Sequence, residues 1–196
     1  MKKIILILFF VTLHSFAQEK DFVLGKIVTI KSVELNENRI LNIYLPADYN
    51  EKDNYPVIYL LDGSAHEDFI HIVGLVQYCN FEWINLIPKS ILVGIENVDR
   101  KRDFTYPTTV EKDKKDYPIT GGSDKFISFI EKEVQPFIEK RYKTTPSKTI
   151  IGQSLGGLLA TEILLKNPNL FSNYIIVSPS LWFFNKISVA NNPPND

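Results

Sequence analysis

The sequence is short of several things, and each shortage closes off a class of function. Of its 196 residues one is a cysteine, Cys79, so no internal disulfide can form. Stability must come from a packed core, and a chain of this length can bury one. Charge is nearly balanced, with 22 Lys and Arg against 23 Asp and Glu and a net charge of −1. That argues against nucleic acid as a partner, because phosphate binding needs a basic face. The densest charge run, Glu111 to Asp116, mixes both signs and reads as a solvated loop. No apolar run approaches the ~20 residues that a membrane-spanning helix needs. No histidine or carboxylate group stands at metal-ligand spacing, so neither a metal nor another cofactor is expected. Histidine itself is scarce, with only His14, His66 and His71.

Apolar residues make up 44% of the chain, which fits one globular domain. The first 17 residues read as an export signal. Lys2 and Lys3 form a positive start, Ile4 to Val11 is unbroken apolar sequence, and Ser15 and Ala17 are small residues before a cut at Gln18. No cysteine follows to carry a lipid anchor. The expected mature chain is 18–196, exported to the periplasm or beyond, with a net charge of −3 once two lysines are removed.

Lys26 to Leu35 and Arg39 to Leu45 alternate as strands around the turn residues Asn36-Glu37-Asn38, which predicts an antiparallel hairpin. Pro56 to Leu61 and Ser90 to Ile95 are continuous apolar runs, as in strands buried on both faces. Between them, residues 66–79 place Phe69, Ile72, Val73 and Val76 on one helical face. Residues 97–122 are polar and Pro/Gly-bearing, and form a long loop of the kind that carries function. Ser123 is placed to cap a helix with the stripe Phe126, Ile130, Val134, Phe137 and Ile138, and Pro136 predicts a kink or break in it. A strand over 148–151, a helix over 155–166 that stops before Pro168, and a strand over 174–177 follow. Ser178 to Ser180 turns, and Asn191 to Asp196 is a polar tail. Alternating strands and helices predict an α/β fold with a mostly parallel sheet. Sites in such sheets gather at the carboxyl ends of the strands.

One of those ends is the stretch IGQSLGG, where Ser154 stands between Gly152 and Gly156, a strand before it and a helix after. This is how a nucleophilic serine is presented on a sharp strand-to-helix turn. Gly152 and Gly156 leave room where a Cβ would clash, and Gly157 lets the helix approach its neighbours. The N–H of Leu155 faces the reaction site, where the helix dipole favours an oxyanion. The second donor is expected from the loop after the first buried strand, at the N–H of Ser64. The bland alternative for Ser154 is an ordinary helix cap.

IGQSLGG, together with VIYLLDGSAH at 57–66, VGIENVDRKRDFTYP at 93–107, GGSDKFISFIEKEVQPFIEKRY at 121–142 and IVSPSLWF at 176–183, resembles the esterase family of α/β-hydrolases. That family includes siderophore esterases, S-formylglutathione hydrolases, feruloyl esterases and mycolyltransferases, and DRKRDFTYP is most similar to the siderophore-esterase branch. The resemblance implies an α/β-hydrolase fold and a serine hydrolase acting on small-molecule carboxylic esters through an acyl-enzyme. It implies Ser154 as nucleophile, Ser64 and Leu155 as oxyanion donors, and Gly63, Gln153, Arg100, Asp103 and Trp182 at the substrate. Arg100 and Asp103 could equally be an ion pair that fastens a loop, and Trp182 and Phe183 could be pocket rim or core.

The pattern breaks in one respect. In this fold the triad acid and base follow the serine along the chain. After Ser154 the acids are Glu162 and Asp196, and no histidine follows. The sequence is therefore expected to be a family member cut short, with an apolar edge beside Tyr174 to Val177 and poor solubility. His66 lies beyond the oxyanion loop without an acid partner, and His71 sits on the next helix. The competing expectation is a catalytically dead remnant that binds a ligand, or a non-functional fragment. A thioesterase or amidase would use the same turn.

Overall fold

A computed structural model describes residues 18–116 and 118–183. The predicted signal, the polar tail and His14 lie outside the described residues. Strand β1 (Lys26–Ser32) pairs antiparallel with β2 (Glu37–Tyr44), with Ser32 opposite Glu37 at the turn. The hairpin is as the alternation predicts, and Asn36 takes the left-handed conformation at φ 53° that the reversal needs. β3 (Tyr55–Leu60) is followed by helix α1 (Phe69–Cys79) and β4 (Ile91–Ile95).

Two elements lie where a loop is expected, α2 (Arg100–Asp103) and α3 (Glu111–Asp116). α3 is the mixed-charge run. Its Lys112–Asp116 and Lys114–Glu111 pairs sit one helical turn apart, so the charges favour a solvated helix over a solvated loop.

α4 (Ser123–Phe129) runs without interruption through a π turn (Ile130–Val134) into α5 (Gln135–Arg141). Pro136 does not break this helix. The wider turn, in which the N–H of Gln135 reaches the carbonyl of Ile130, accommodates the proline at the start of α5. Gly122, not Ser123, holds the capping position of α4, and the Ser123 hydroxyl donates to Glu162 Oε1 at 3.0 Å.

β5 (Thr144–Gln153), α6 (Leu155–Lys166) and β6 (Asn173–Val177) complete the described sheet, whose order is β1-β2-β4-β3-β5-β6. β4, β3, β5 and β6 are parallel to one another, and β2 joins β4 antiparallel. Side-chain alternation divides β3 between the two faces. Val57, Tyr59 and Leu61 enter the core under α4 to α6, with Phe126, Phe129, Ile130, Leu158 and Ile163. Ile58 and Leu60 meet Phe69, Val73 and Val76 of α1. Burying each such side chain contributes about 1.5–3 kcal/mol. The α1 face also holds an open apolar groove of about 900 Å³ beside Ile151, Ile175 and Val177.

Candidate active site

The carboxyl ends of the parallel strands β3, β4, β5 and β6 lie at one edge of the sheet. Ser154, between β5 and α6, has φ 55° and ψ −115°, a strained conformation for a residue with a Cβ. Strain of this kind costs about 1–3 kcal/mol and persists when the surroundings impose it. Gly152 permits the tight turn that carries it, because a Cβ there would lie 2.3 Å from the carbonyl oxygen of Gly156. Ser154 N–H donates to the carbonyl of Val177, and the carbonyl of Ser154 accepts from Ser180 N–H, both at 3.0 Å. Ser154 is not an ordinary cap: its side chain makes no capping bond to α6 and instead meets the hydroxyl of Ser180 at 3.1 Å.

Leu155 opens α6, so its N–H has no partner within the helix. The turn after β3 packs against the same helical turn, since a Cβ built on Gly156 would lie 3.2 Å from Asp62 Oδ2. Ser64 belongs to that turn and is buried. Its N–H is directed at Glu67 Oε2 over 3.4 Å, a long contact with an anionic oxygen. Gly63 is buried, with its N–H on the carbonyl of Ile95 and its carbonyl on Asn42 Nδ2. A Cβ on it would meet Gly94 Cα at 2.3 Å. Its N–H and its carbonyl are both bonded within the fold, so it supports the turn.

Arg100 and Asp103, read together from the sequence, are separated by the structure. Asp103 is fully enclosed at 0% exposure, with Oδ2 on Arg39 at 2.8 Å and Oδ1 on Arg102 at 2.7 Å. It fastens α2 to the hairpin and offers nothing to a substrate. Arg100 grips Asp62 with two bonds, Nε to Oδ1 at 2.6 Å and Nη2 to Oδ2 at 2.9 Å, and reaches the carbonyl of Gln153 at 3.3 Å. Asn97 Nδ2 adds a bond to Asp62 Oδ1 at 2.7 Å. The hydrogen bond with Asp62 raises the Arg100 pKa above its ordinary value, so this cation is fixed. Arg100 ties the candidate oxyanion turn to the serine turn. The Gln153 side chain is exposed beside it.

Trp182 is 59% exposed, whereas Phe183 is buried and bonded through its carbonyl to Tyr106 Oη at 2.7 Å. Phe183 is core and Trp182 lies at the surface. His66 and His71 are both exposed on the α1 side. Glu162 is buried on α6, paired with Lys166 and Ser123.

Sequence reasoning missed two groups here. Arg39 is fully buried, its guanidinium 5.1 Å from the Phe126 ring centroid, and it bonds Glu37 and Asp103. An arginine beside the apolar run of β2 was its signal. Burial pushes the Glu37 carboxyl up, but hydrogen bonds from Arg102 and Arg39 outweigh it and hold the pKa below the ordinary value. Ser180, beside the nucleophile, gave only a turn signature.

Residues 32–192 match the family model described as "Putative esterase". The ferri-bacillibactin esterase BesA of Bacillus subtilis is 36% identical over 160 residues, covering 74% of this chain and 55% of that one. The siderophore triacetylfusarinine C esterase of Aspergillus fumigatus is 40% identical over 160 residues, covering 75% and 53%. The chain thus spans about half the length of these curated relatives. A crystal structure of an IroE-like serine hydrolase from Shewanella oneidensis superposes with a TM-score of 0.75 at 38% identity, over 82% of this chain and 52% of that one. The fold is that of the α/β-hydrolases.

Proposed function

This chain belongs to the esterase family, and we propose that it is an exported serine hydrolase that cleaves carboxylic esters through an acyl-enzyme on Ser154. The observation that carries this reading is the strained Ser154, held at φ 55° between β5 and the amino end of α6. There it leads directly into the helix, whose first N–H groups can stabilise an oxyanion. In the proposed reaction, Ser154 Oγ attacks the ester carbonyl and its proton passes to the departing alkoxide oxygen. The N–H groups of Leu155 and Ser64 take the developing negative charge, the alcohol leaves, and water releases the acid. The position of the Glu67 carboxylate near Ser64 N–H supports that part of the reading, since an oxyanion would exchange for it. The siderophore-esterase names of two relatives favour siderophore-like esters as the substrate class. Export rests on the sequence of residues 1–17. Gln18 as the amino terminus of protein recovered outside the cytoplasm supports it, and an intact Met1 overturns it.

The test is hydrolysis of p-nitrophenyl esters by wild type and Ser154→Ala. Loss of turnover in the variant supports the assignment, and unchanged turnover overturns it. A second reading is favoured by one observation: Ser154 Oγ bonds another hydroxyl, which is not a base. A serine without a base is a poor nucleophile. On that reading the chain binds an ester and turns it over weakly. Oxyanion and binding contributions alone give about 10³–10⁴-fold over water. Calorimetric binding of a siderophore-like ester with no detectable product distinguishes the two.

A further inference from the structure

We propose that Ser180 is a positioning residue for the nucleophile: its hydroxyl donates to Ser154 Oγ and holds that atom in the orientation from which it attacks. The inference rests on Ser154 being the nucleophile, and nothing in the sequence motif or in the family match assigns Ser180 a role.

The geometry is reciprocal. Ser180 N–H donates to the carbonyl of Ser154 at 3.0 Å, and the two hydroxyls meet at 3.1 Å. Ser154 N–H is in turn held by the carbonyl of Val177 at 3.0 Å. The end of β6 and the turn after it therefore grip the serine turn by its N–H, its carbonyl and its side chain. Ser178, at φ 42°, bends the chain so that Ser180 returns to Ser154. Ser180 is 4% exposed, and a hydroxyl so enclosed requires a partner, which here is Ser154 Oγ.

The donor direction follows from the inventory of a hydroxyl, one proton and two acceptor lone pairs. When a base takes the Ser154 proton, Ser154 Oγ can only accept. Ser180 must then donate, and its bond strengthens as charge builds on Ser154 Oγ. A purely packing role for Ser180 predicts a change in stability alone. A positioning role predicts a change in the acidity of whatever atom stands at 154.

The experiment reads that acidity without requiring turnover. Ser154→Cys in a Cys79→Ala background leaves one thiol, whose sulfur stands in for the nucleophilic oxygen. The pH profile of iodoacetamide alkylation gives its pKa, with the melting temperature followed in parallel. The parent thiol should titrate below the ordinary ~8.5 of cysteine. Adding Ser180→Ala should raise that pKa by about one unit and slow alkylation about tenfold at pH 7, the size of one hydrogen bond to a charged group. Ser180→Thr, which restores a hydroxyl, should return the profile to that of the parent. Ser180→Gly gives the same test if the alanine variant does not fold. A profile unmoved by loss of the hydroxyl, a parent pKa at or above ~8.5, or a threonine variant that behaves like alanine would overturn the proposal. Ester hydrolysis insensitive to Ser154→Ala would instead overturn the nucleophile reading, so the two failures are separable.

Discussion

The two segments that meet where Arg100 reaches the carbonyl of Gln153 are held by different forces. The serine turn, Gly152 to Gly157, carries no charge and is shaped by steric exclusion, with the backbone of Gly156 lying where a Cβ of residue 152 would be. The segment Asn97 to Thr105 is shaped by charge. Arg100 holds Asp62, and Arg102 and Arg39 share Asp103 and Glu37. The first takes its sharp bend from neighbours in sequence, and Val177 and Ser180 then hold it in place. The second joins residues far apart in the chain, so its strength depends on burial and pH. One lesson is that the bend of the candidate nucleophile turn can be local while the placement of the candidate oxyanion turn is not.

The sharpest way to break this contrast is Gly152→Ala. Its Cβ meets backbone that cannot rotate away, so the loss should exceed about 4 kcal/mol and should not vary with salt. A urea midpoint within experimental error of wild type would refute the steric account.

Next is Arg39→Met, which removes one of the two arginines paired with the buried Asp103 carboxylate and should cost about 3 kcal/mol. Adding Asp103→Leu should recover part of that loss, because two apolar side chains need no pairing. A double variant as destabilised as the sum of the singles would show that packing on Phe126 and Phe129, not charge, sets the cost.

These two experiments also mark how much was legible. The hairpin, the buried strands β3 and β4, and α6 were readable because hydrophobic period and turn chemistry are properties of contiguous residues. The α3 helix was not, because its Lys–Asp and Lys–Glu pairs read equally well as loop solvation. Nor was the continuity of the helix through Pro136, which depends on a π turn that no residue pattern announces.

Asp62→Asn should have a smaller effect on stability, about 1 kcal/mol, because Arg100 keeps partial solvent contact. Its larger effect should be on ester turnover, since the turn carrying Ser64 loses its tie to Gln153. Loss of stability with unchanged turnover would reduce Arg100 to a loop fastener.

The smallest expected effect is on pH dependence. The Glu37 pKa lies below its ordinary 4.5 in the folded chain. Its contribution is therefore complete above that value and lost as pH falls through the folded one. Urea midpoints measured down the acid limb should fall more gently in Glu37→Gln than in wild type, whereas Gly152 substitutions should leave the shape of the limb unchanged.

The sequence by itself determined the α/β alternation, the serine turn and the identity of the candidate nucleophile. Each is written in residues that are neighbours along the chain, where backbone sterics and side-chain period act directly. Only the tertiary structure decided that Asp103 is an internal anchor, that Arg100 bridges two turns, and that Ser180 faces Ser154. Those pairs are separated by 64 residues for Arg39 and Asp103, 38 for Asp62 and Arg100, and 26 for Ser154 and Ser180. No local pattern specifies which distant polar group meets which. That is settled when the sheet stacks its strands and each buried polar atom must find a partner inside the fold.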